Sequence, residues 1–243
     1  MPLLIALLIM QTANGQAAIG QSASAQNTPT LTPYTALYNV KYRGLSGGDI
    51  EFTLQRQGTD RYLFSSHLLP NFLGNFFSSD QAKDTSLMLV QGGNIKPLQF
   101  RSEDGSKKTE KDIRYDFDWS TNSVSGRYKD QDFTLMLPPG VQDRLSIQLM
   151  ASLALQAGRE PGKLHMLERN EVQEYTITKQ GAERISTHAG EFDTVVLQSN
   201  RTDSDRSTRY WYAAKLGYIP VRAERTTKGK VDIVMELKSV QVE

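Results

Sequence analysis

The sequence predicts a mainly β protein, built as a large curved antiparallel sheet or half-open barrel with one long helix packed on its concave face. From residue 34 onward apolar and polar residues alternate with a period of two, and turn residues recur about every ten residues, which is typical of a sandwich or barrel. Pro-Pro-Gly at positions 138–140 interrupts this pattern and precedes a long helical pattern. Sheets with about a dozen strands curl or close to hide their edges, and one amphipathic helix can fill the concave face.

The first half of the chain predicts an antiparallel meander. Residues 34–42 and 49–57 form a hairpin, because Gly44, Gly47 and Gly48 lie between them as turn residues. Alternating residues then predict strands at 61–69, 85–91, 95–102, 109–119, 123–128 and 132–137.

A helix is predicted over residues 141–157, after which strands resume. Asp143 can cap it, Leu149 and Leu153 belong to its apolar surface, and Gly158 stops it. Arg144 lies where it can reach an acidic strand residue. The later strands are predicted at 163–169, 173–180, 185–187, 194–200, 208–213, 219–226 and 231–242.

The N-terminal residues predict export. Residues 1–10 form an apolar run that is too short to span a bilayer but has the length of a signal-peptide core. The sequence Ala23-Ser24-Ala25 predicts a signal peptide over residues 1–25, cleaved near Ala25, a flexible mature N-terminus over 26–33 and a single β-rich domain over 34–243. No Lys or Arg precedes the apolar run, which leaves a hydrophobic N-terminal anchor or strand as the alternative. We expect a periplasmic protein with no transmembrane segment after cleavage, because no later segment has the ~20 apolar residues of a spanning helix.

Composition excludes several kinds of function. The 28 basic and 27 acidic residues give a formal charge of +1, so nothing in the charge favours nucleic-acid binding. Cysteine is absent, which excludes disulfides, thiolate nucleophiles, Cys-ligated zinc, iron–sulfur clusters and acylation at a lipobox. We expect no cofactor and no metal.

Four stretches of the sequence together resemble the DUF3108 family. The longest is Arg-Tyr-Trp-Tyr-Ala-Ala-Lys-Leu-Gly-Tyr-Ile-Pro-Val-Arg at 209–222, and the others are residues 34–42 with the glycines after them, Asp-Arg-Leu-Ser at 143–146 and Thr-His-Ala-Gly-Glu-Phe-Asp-Thr at 187–194. The resemblance implies export and a β-rich fold, and it implies no reaction. The predicted shape is also similar to that of envelope lipoprotein carriers, whose open barrels hold acyl chains against a helix, but this likeness is one of architecture alone.

No residue pattern predicts a catalytic centre. His67, His165 and His188 lie near no G-x-S-x-G or H-E-x-x-H sequence, and His188 has the setting of an exposed turn residue. The residues Asp112, Asp116 and Asp118 alternate along one strand beside basic residues, which favours a solvated face over an acid/base pair or a weak calcium site.

The candidate ligand site is apolar. Residues 68–77 carry no charge, and five large side chains there follow one face of a short helix, as a packed lid, a mobile gate or a surface that touches lipid or a partner. Trp211 alternates with tyrosines, so this strand either lines a pocket or packs in the core. The predicted cavity or gate residues are Leu69, Phe72, Leu73, Phe76, Phe77, Leu149, Leu153 and Trp211.

Three functions remain open. The leading hypothesis is a non-enzymatic periplasmic protein that binds an apolar or amphipathic, lipid-like ligand in a β-cup. The alternative is a scaffolding or assembly protein that binds another envelope protein through a sheet edge or its aromatic strands, and a filled core would favour it. The third is a carboxylate-dependent enzyme of envelope glycans, which needs two facing acidic groups in a cleft, a pair that the sequence does not show.

Overall fold

The computed structural model describes residues 29–70, 82–105 and 109–243. Within these ranges the chain forms fourteen strands, one α-helix, α1 (Ser146–Gln156), and two short 3-10 helices at Thr109–Lys111 and Ala214–Leu216. The strands are β1 (Tyr34–Tyr42), β2 (Leu45–Arg56), β3 (Arg61–Pro70), β4 (Lys83–Gln91), β5 (Asn94–Glu103), β6 (Ile113–Asp118), β7 (Ser123–Tyr128), β8 (Gln131–Met136), β9 (Gly162–Glu168), β10 (Glu171–Thr187), β11 (Gly190–Arg201), β12 (Arg206–Ala213), β13 (Ile219–Thr227) and β14 (Lys230–Val242).

All the strands belong to one antiparallel sheet, in which the order runs from β8 back to β1 and then from β14 back to β9. The pairing of β1 with β14, from Tyr34 opposite Val242 to Tyr42 opposite Ile233, joins the two runs. In the described part of the chain the sheet stays open between β8 and β9, with α1 between these two strands in sequence. The prediction of a large curved antiparallel sheet or half-open barrel with one helix is confirmed.

The helix begins later than predicted. Residues 141–143 run extended, because Gln142 donates its N–H to His165 O at 2.8 Å and accepts the N–H of Leu167 at 2.8 Å, a parallel bridge to β9. The predicted capping by Asp143 is confirmed, since its Oδ1 accepts the N–H groups of Leu145 and Ser146 at 2.8 and 2.9 Å.

The two strands predicted at 173–180 and 185–187 are one long strand, β10. A bulge between Lys179 and Gly181 keeps the pairing with β11 continuous, and Gly181 has the φ of +145° that favours glycine. The far end of this hairpin reaches β14, which is not its neighbour in the sheet, because His188 Nδ1 lies 3.2 Å from Glu236 Oε1.

The concave face of the sheet is filled by α1 and by a wall of aromatic side chains. Tyr38 and Phe52 have ring centroids 5.6 Å apart, and Phe52 and Phe64 are 5.7 Å apart. Leu149 and Leu153 of α1 are buried in the same core. No helix among the described residues is long and apolar enough to cross a membrane.

Candidate ligand-binding site

The two ends of the curved sheet differ in what they enclose. We call the end with the β1–β2 and β13–β14 turns the mouth, and the end with the β2–β3 and β12–β13 turns the base. The start of α1 faces the mouth, because Arg144 contacts Asp84 near the start of β4 and Ser102 near the end of β5. The end of α1 lies at the base, where Gln156 accepts the N–H of Thr30 at 3.0 Å.

Arg144 is held in the mouth by three kinds of contact. Its Nη2 donates to Asp84 Oδ1 and to Ser102 Oγ, the latter at 2.6 Å, and its guanidinium lies 5.4 Å from the ring centroid of Phe100. The expectation that this arginine reaches an acidic strand residue is confirmed. The side chain is nevertheless 45% exposed, so one face of the cation is open to the mouth.

A cavity of about 210 Å³ lies on one side of Arg144, between α1 and strands β9 to β12. We call it the helix-side cavity. Its wall is apolar and aromatic with a few hydroxyl groups, which suits a ligand with a long apolar part. It is lined by Arg144, Ile147, Gln148, Ala151, Met166, Tyr175, Ile177, Ser199, Thr208, Tyr210 and Tyr212.

A second cavity, of about 350 Å³, lies on the other side of Arg144 against strands β2 to β6. Ile50, Leu68 and Ile113 supply its apolar lining. Charged groups of both signs border it, including Lys111, which lies 3.4 Å from Asp104. Because both cavities are lined by Arg144, the mouth presents apolar surface on either side of one held cation.

The two predicted helix residues are placed differently. Leu149 lines a third cavity, of about 240 Å³, at the base beside Tyr34 and Ile219. Leu153 is fully buried and packs in the core. The helix residues that face the helix-side cavity are instead Ile147 and Ala151.

Trp211 does not line the helix-side cavity; it is buried and packs in the core, which is the alternative that the sequence left open. The two-residue period of β12 directs Thr208, Tyr210 and Tyr212 to the helix-side cavity and Trp211 to the opposite face, which is the physical reason for this correction. Its Nε1 donates to Glu183 Oε2 at 2.8 Å. The guanidiniums of Arg209 and Arg222 lie 5.8 and 5.6 Å from the centroid of the indole ring.

The predicted gate falls only partly on described residues. Leu69 lies in β3 at the mouth and is 39% exposed, opposite Asp49 of β2. Phe72, Leu73, Phe76 and Phe77 lie outside the described residues, so the gate over 69–77 stays a prediction.

Ionisable groups in the described residues form ion pairs and caps. His165 Nε2 lies 4.0 Å from Glu174 Oε2, and His188 pairs with Glu236. In the aspartate ladder, Asp116 accepts from Arg101 at 2.7 Å and is exposed, as is Asp118. Within the ranges that the structure describes, no cluster of three His, Asp or Glu side chains can hold a metal.

Among the residues that the structure describes, Asp143 is the carboxylate that is fully buried. Burial raises its pKa above the ordinary value, and hydrogen bonds from Ser86 Oγ at 2.6 Å and from two backbone N–H groups act in the opposite direction. These bonds tie the start of α1 to β4, which is a structural task.

Comparison with known proteins agrees with this fold. The family described as "Protein of unknown function (DUF3108)" matches residues 37–238. A β-barrel-like protein of the domain of unknown function DUF1849 from Brucella abortus is 10% identical, with a TM-score of 0.56 over 88% of this chain and 98% of that one. A protein with a YmcC-like fold from Bacteroides fragilis is 11% identical, with a TM-score of 0.38 over 88% of this chain and 97% of that one. No curated protein matches the sequence.

Proposed function

The chain belongs to the DUF3108 family, and from this premise and the geometry of the mouth we propose that the protein binds an apolar or amphipathic, lipid-like ligand without acting on it. The observation that carries the proposal is the pair of cavities that adjoin at Arg144. An acyl chain fits the apolar lining beside α1, and Arg144 is within reach of a polar or anionic head at the mouth.

The energetics favour a ligand with few polar atoms. Each buried methylene contributes about 0.8 kcal/mol, so about six methylenes in the helix-side cavity supply about 5 kcal/mol of the roughly 8 kcal/mol that a micromolar affinity requires. The second cavity, of about 350 Å³, lies at the lower end of the size range of small-molecule sites, and the helix-side cavity, of about 210 Å³, is smaller than that range. The ligand is accordingly one that enters partly, with its head exposed at the mouth.

The proposed compartment is the periplasm, reached by export and cleavage near Ala25. The apolar run and the small residues before position 26 support it. In this compartment the ligand would come from the surrounding lipid, and the protein would act as a holder or carrier that needs no cofactor.

Binding is tested with residues 26–243 and the fluorescent fatty acid cis-parinaric acid. Ser199→Phe fills the helix-side cavity, because Ser199 lines it and is nearly buried. Ser207→Phe is the matched control, since Ser207 lies on the neighbouring strand and the opposite face. We expect Ser199→Phe to weaken binding by about tenfold, equivalent to about 1.4 kcal/mol, and the control to change it by less than about twofold. Equal binding by both variants, or none by the wild type, would contradict the proposal.

The head-group contact has its own test. We expect the wild type to bind cis-parinaric acid more tightly than its methyl ester, because only the acid can pair with Arg144. Arg144→Gln should remove the difference between acid and ester. If Arg144→Gln still binds the acid more tightly than the ester, the carboxylate of the ligand does not bind at Arg144.

A second candidate, an assembly protein, is favoured by the edge strand β8. In the described residues no strand pairs with its outer side, and Met136 is 73% exposed. The corresponding edge of β9 is bridged by Gln142. Cross-linking through β8 tests this candidate. It takes precedence if the acyl probe does not bind, if the wild type captures an envelope protein, and if the variant Met136→Lys fails to capture it.

A further inference from the structure

We propose that the tips of the β1–β2 and β13–β14 hairpins form a docking surface for a membrane that contains anionic lipids. The two tips are neighbours because β1 pairs with β14, and Arg43 N–H donates to Asp232 O at 2.8 Å. Both belong to the mouth, so a membrane at these tips would lie against the proposed ligand site.

Apolar side chains project from both tips. Leu45 is 66% exposed, Val231 is 48% exposed and Tyr42 is 40% exposed. Side chains of this size are normally buried, and leaving three of them exposed at one end of a sheet marks a contact surface.

Cations surround these apolar side chains. Lys41, Arg43, Lys228 and Lys230 are all exposed. Asp232 is the carboxylate of β13 and β14 near these tips. It accepts a hydrogen bond from Arg225 at 2.9 Å, so its negative charge is already neutralised and does not offset the four cations. The two strand ends and their turns thus present a positive surface.

The groove between the tips has the chemistry of a phosphate site. It measures about 630 Å³ and is lined by Arg43, Thr227, Lys228, Lys230, Val231 and Asp232. The neighbouring β11–β12 turn is acidic, with Asp203 and Asp205 exposed, and it borders the positive surface on one side.

A lipid surface fits this arrangement better than a protein does. The apolar side chains stand on two narrow turns, whereas a stable protein interface buries about 800 Å² of each partner over a broad surface. Turns that carry apolar residues among cations can insert those residues at the level of the lipid head groups while the cations meet the phosphates.

Co-sedimentation of residues 26–243 with vesicles tests the proposal. Vesicles of phosphatidylcholine mixed with phosphatidylglycerol should bind the protein, and vesicles of phosphatidylcholine alone should bind it far less. Each cation contributes about fivefold to the partition coefficient, so Arg43→Gln, Lys228→Gln and Lys230→Gln combined should lower it by about a hundredfold at low salt. Leu45→Ser with Val231→Ser should lower it by about tenfold.

Matched controls lie at the base. Arg61→Gln, Lys96→Gln and Arg159→Gln combined remove three exposed cations there, and Met136→Ser with Val242→Ser removes two exposed apolar side chains. Both controls should bind as the wild type does. Equal losses in the mouth and base variants, or no binding to anionic vesicles, would overturn the proposal.

The docking surface is independent of the ligand cavity. Ser199→Phe should still bind anionic vesicles, because its substitution lies inside the sheet. If the protein binds vesicles but not the acyl probe, the docking surface is supported and the proposed function is contradicted. If it binds the acyl probe but not vesicles, the proposed function is supported and the docking surface is contradicted.

Discussion

The two sides of α1 meet very different surroundings. On one side Leu153 is fully buried in the aromatic core formed with β1 to β5, and Leu149 borders the cavity at the base. On the other side Ile147 and Ala151 face a cavity of about 210 Å³. One short helix is thus packed without a gap at Leu153 and borders empty space at Ile147 and Ala151.

The difference comes from the strands that face the helix. The β1–β5 wall carries large rings on its inner face, such as Tyr34 and Phe64, whose centroids are 6.1 Å apart. Beside Tyr210 and Tyr212, the β9–β12 wall carries the short side chains Ser199 and Thr208, which leave space. Apolar character alone therefore does not distinguish a structural helix face from a binding face. The size of the side chains on the facing strands makes the distinction.

The largest expected effect separates these two sides directly. Leu153→Ala should lower the free energy of unfolding by about 2 to 5 kcal/mol, because it leaves a void in a filled core. Ile147→Ala should cost about 1 kcal/mol or less, because its side chain already borders empty space. Urea unfolding followed by fluorescence measures both, and similar losses would show that the two sides are equally packed.

The next effect concerns the anchor that holds α1 between the two walls. Asp143→Ala leaves the N–H groups of Leu145 and Ser146 and the hydroxyl of Ser86 without their acceptor, at a cost of about 1 to 3 kcal/mol. Asp143→Asn keeps one acceptor oxygen and should cost less. A loss for Asp143→Asn as large as that for Asp143→Ala would argue against the capping role.

This anchor also predicts a pH dependence. Burial raises the pKa of Asp143, so its contribution to stability is complete below the unfolded-state pKa of about 4 and is lost as the pH rises through the folded-state pKa. The wild type should therefore lose stability relative to Asp143→Asn as the pH rises above about 4. Parallel pH profiles of the two proteins would contradict this prediction.

Local patterns predict most of the fold, and long-range pairing explains the errors. The two-residue period placed the strands, and Asp143 marked the start of the helix correctly as a cap. The helical pattern extends to residues 141–142, and this part of the prediction is wrong because Gln142 pairs with β9, a partner that no local pattern reveals. The strands at 173–180 and 185–187 were separated for a similar reason, since Gly181 reads as a break and is a bulge inside β10.

The candidate site was less predictable than the fold. The spacing of Ile147 and Ala151 along α1 and of Tyr210 and Tyr212 along β12 marks each pair as one face, and that signal was present in the sequence. Which face borders a cavity depends on Ser199 and other side chains far away in sequence, so periodicity cannot settle it. The aromatic character of Trp211 predicts a place in the cavity, but the alternation along β12 directs Tyr210 and Tyr212 there instead.

The smallest expected effect compares the two faces of β12. Trp211→Phe removes the bond from Nε1 to Glu183, an exposed carboxylate that can bind water instead, and replaces a buried indole by a smaller ring, so the cost should be about 1 to 2 kcal/mol of unfolding free energy. Because Trp211 points away from the helix-side cavity, its replacement should leave the affinity for cis-parinaric acid unchanged. Tyr210→Phe removes one hydroxyl group from the helix-side cavity and should change that affinity with little effect on stability. Fluorescence titration of both variants checks this, and a change in affinity for Trp211→Phe alone would place the ligand on the outer face of the sheet.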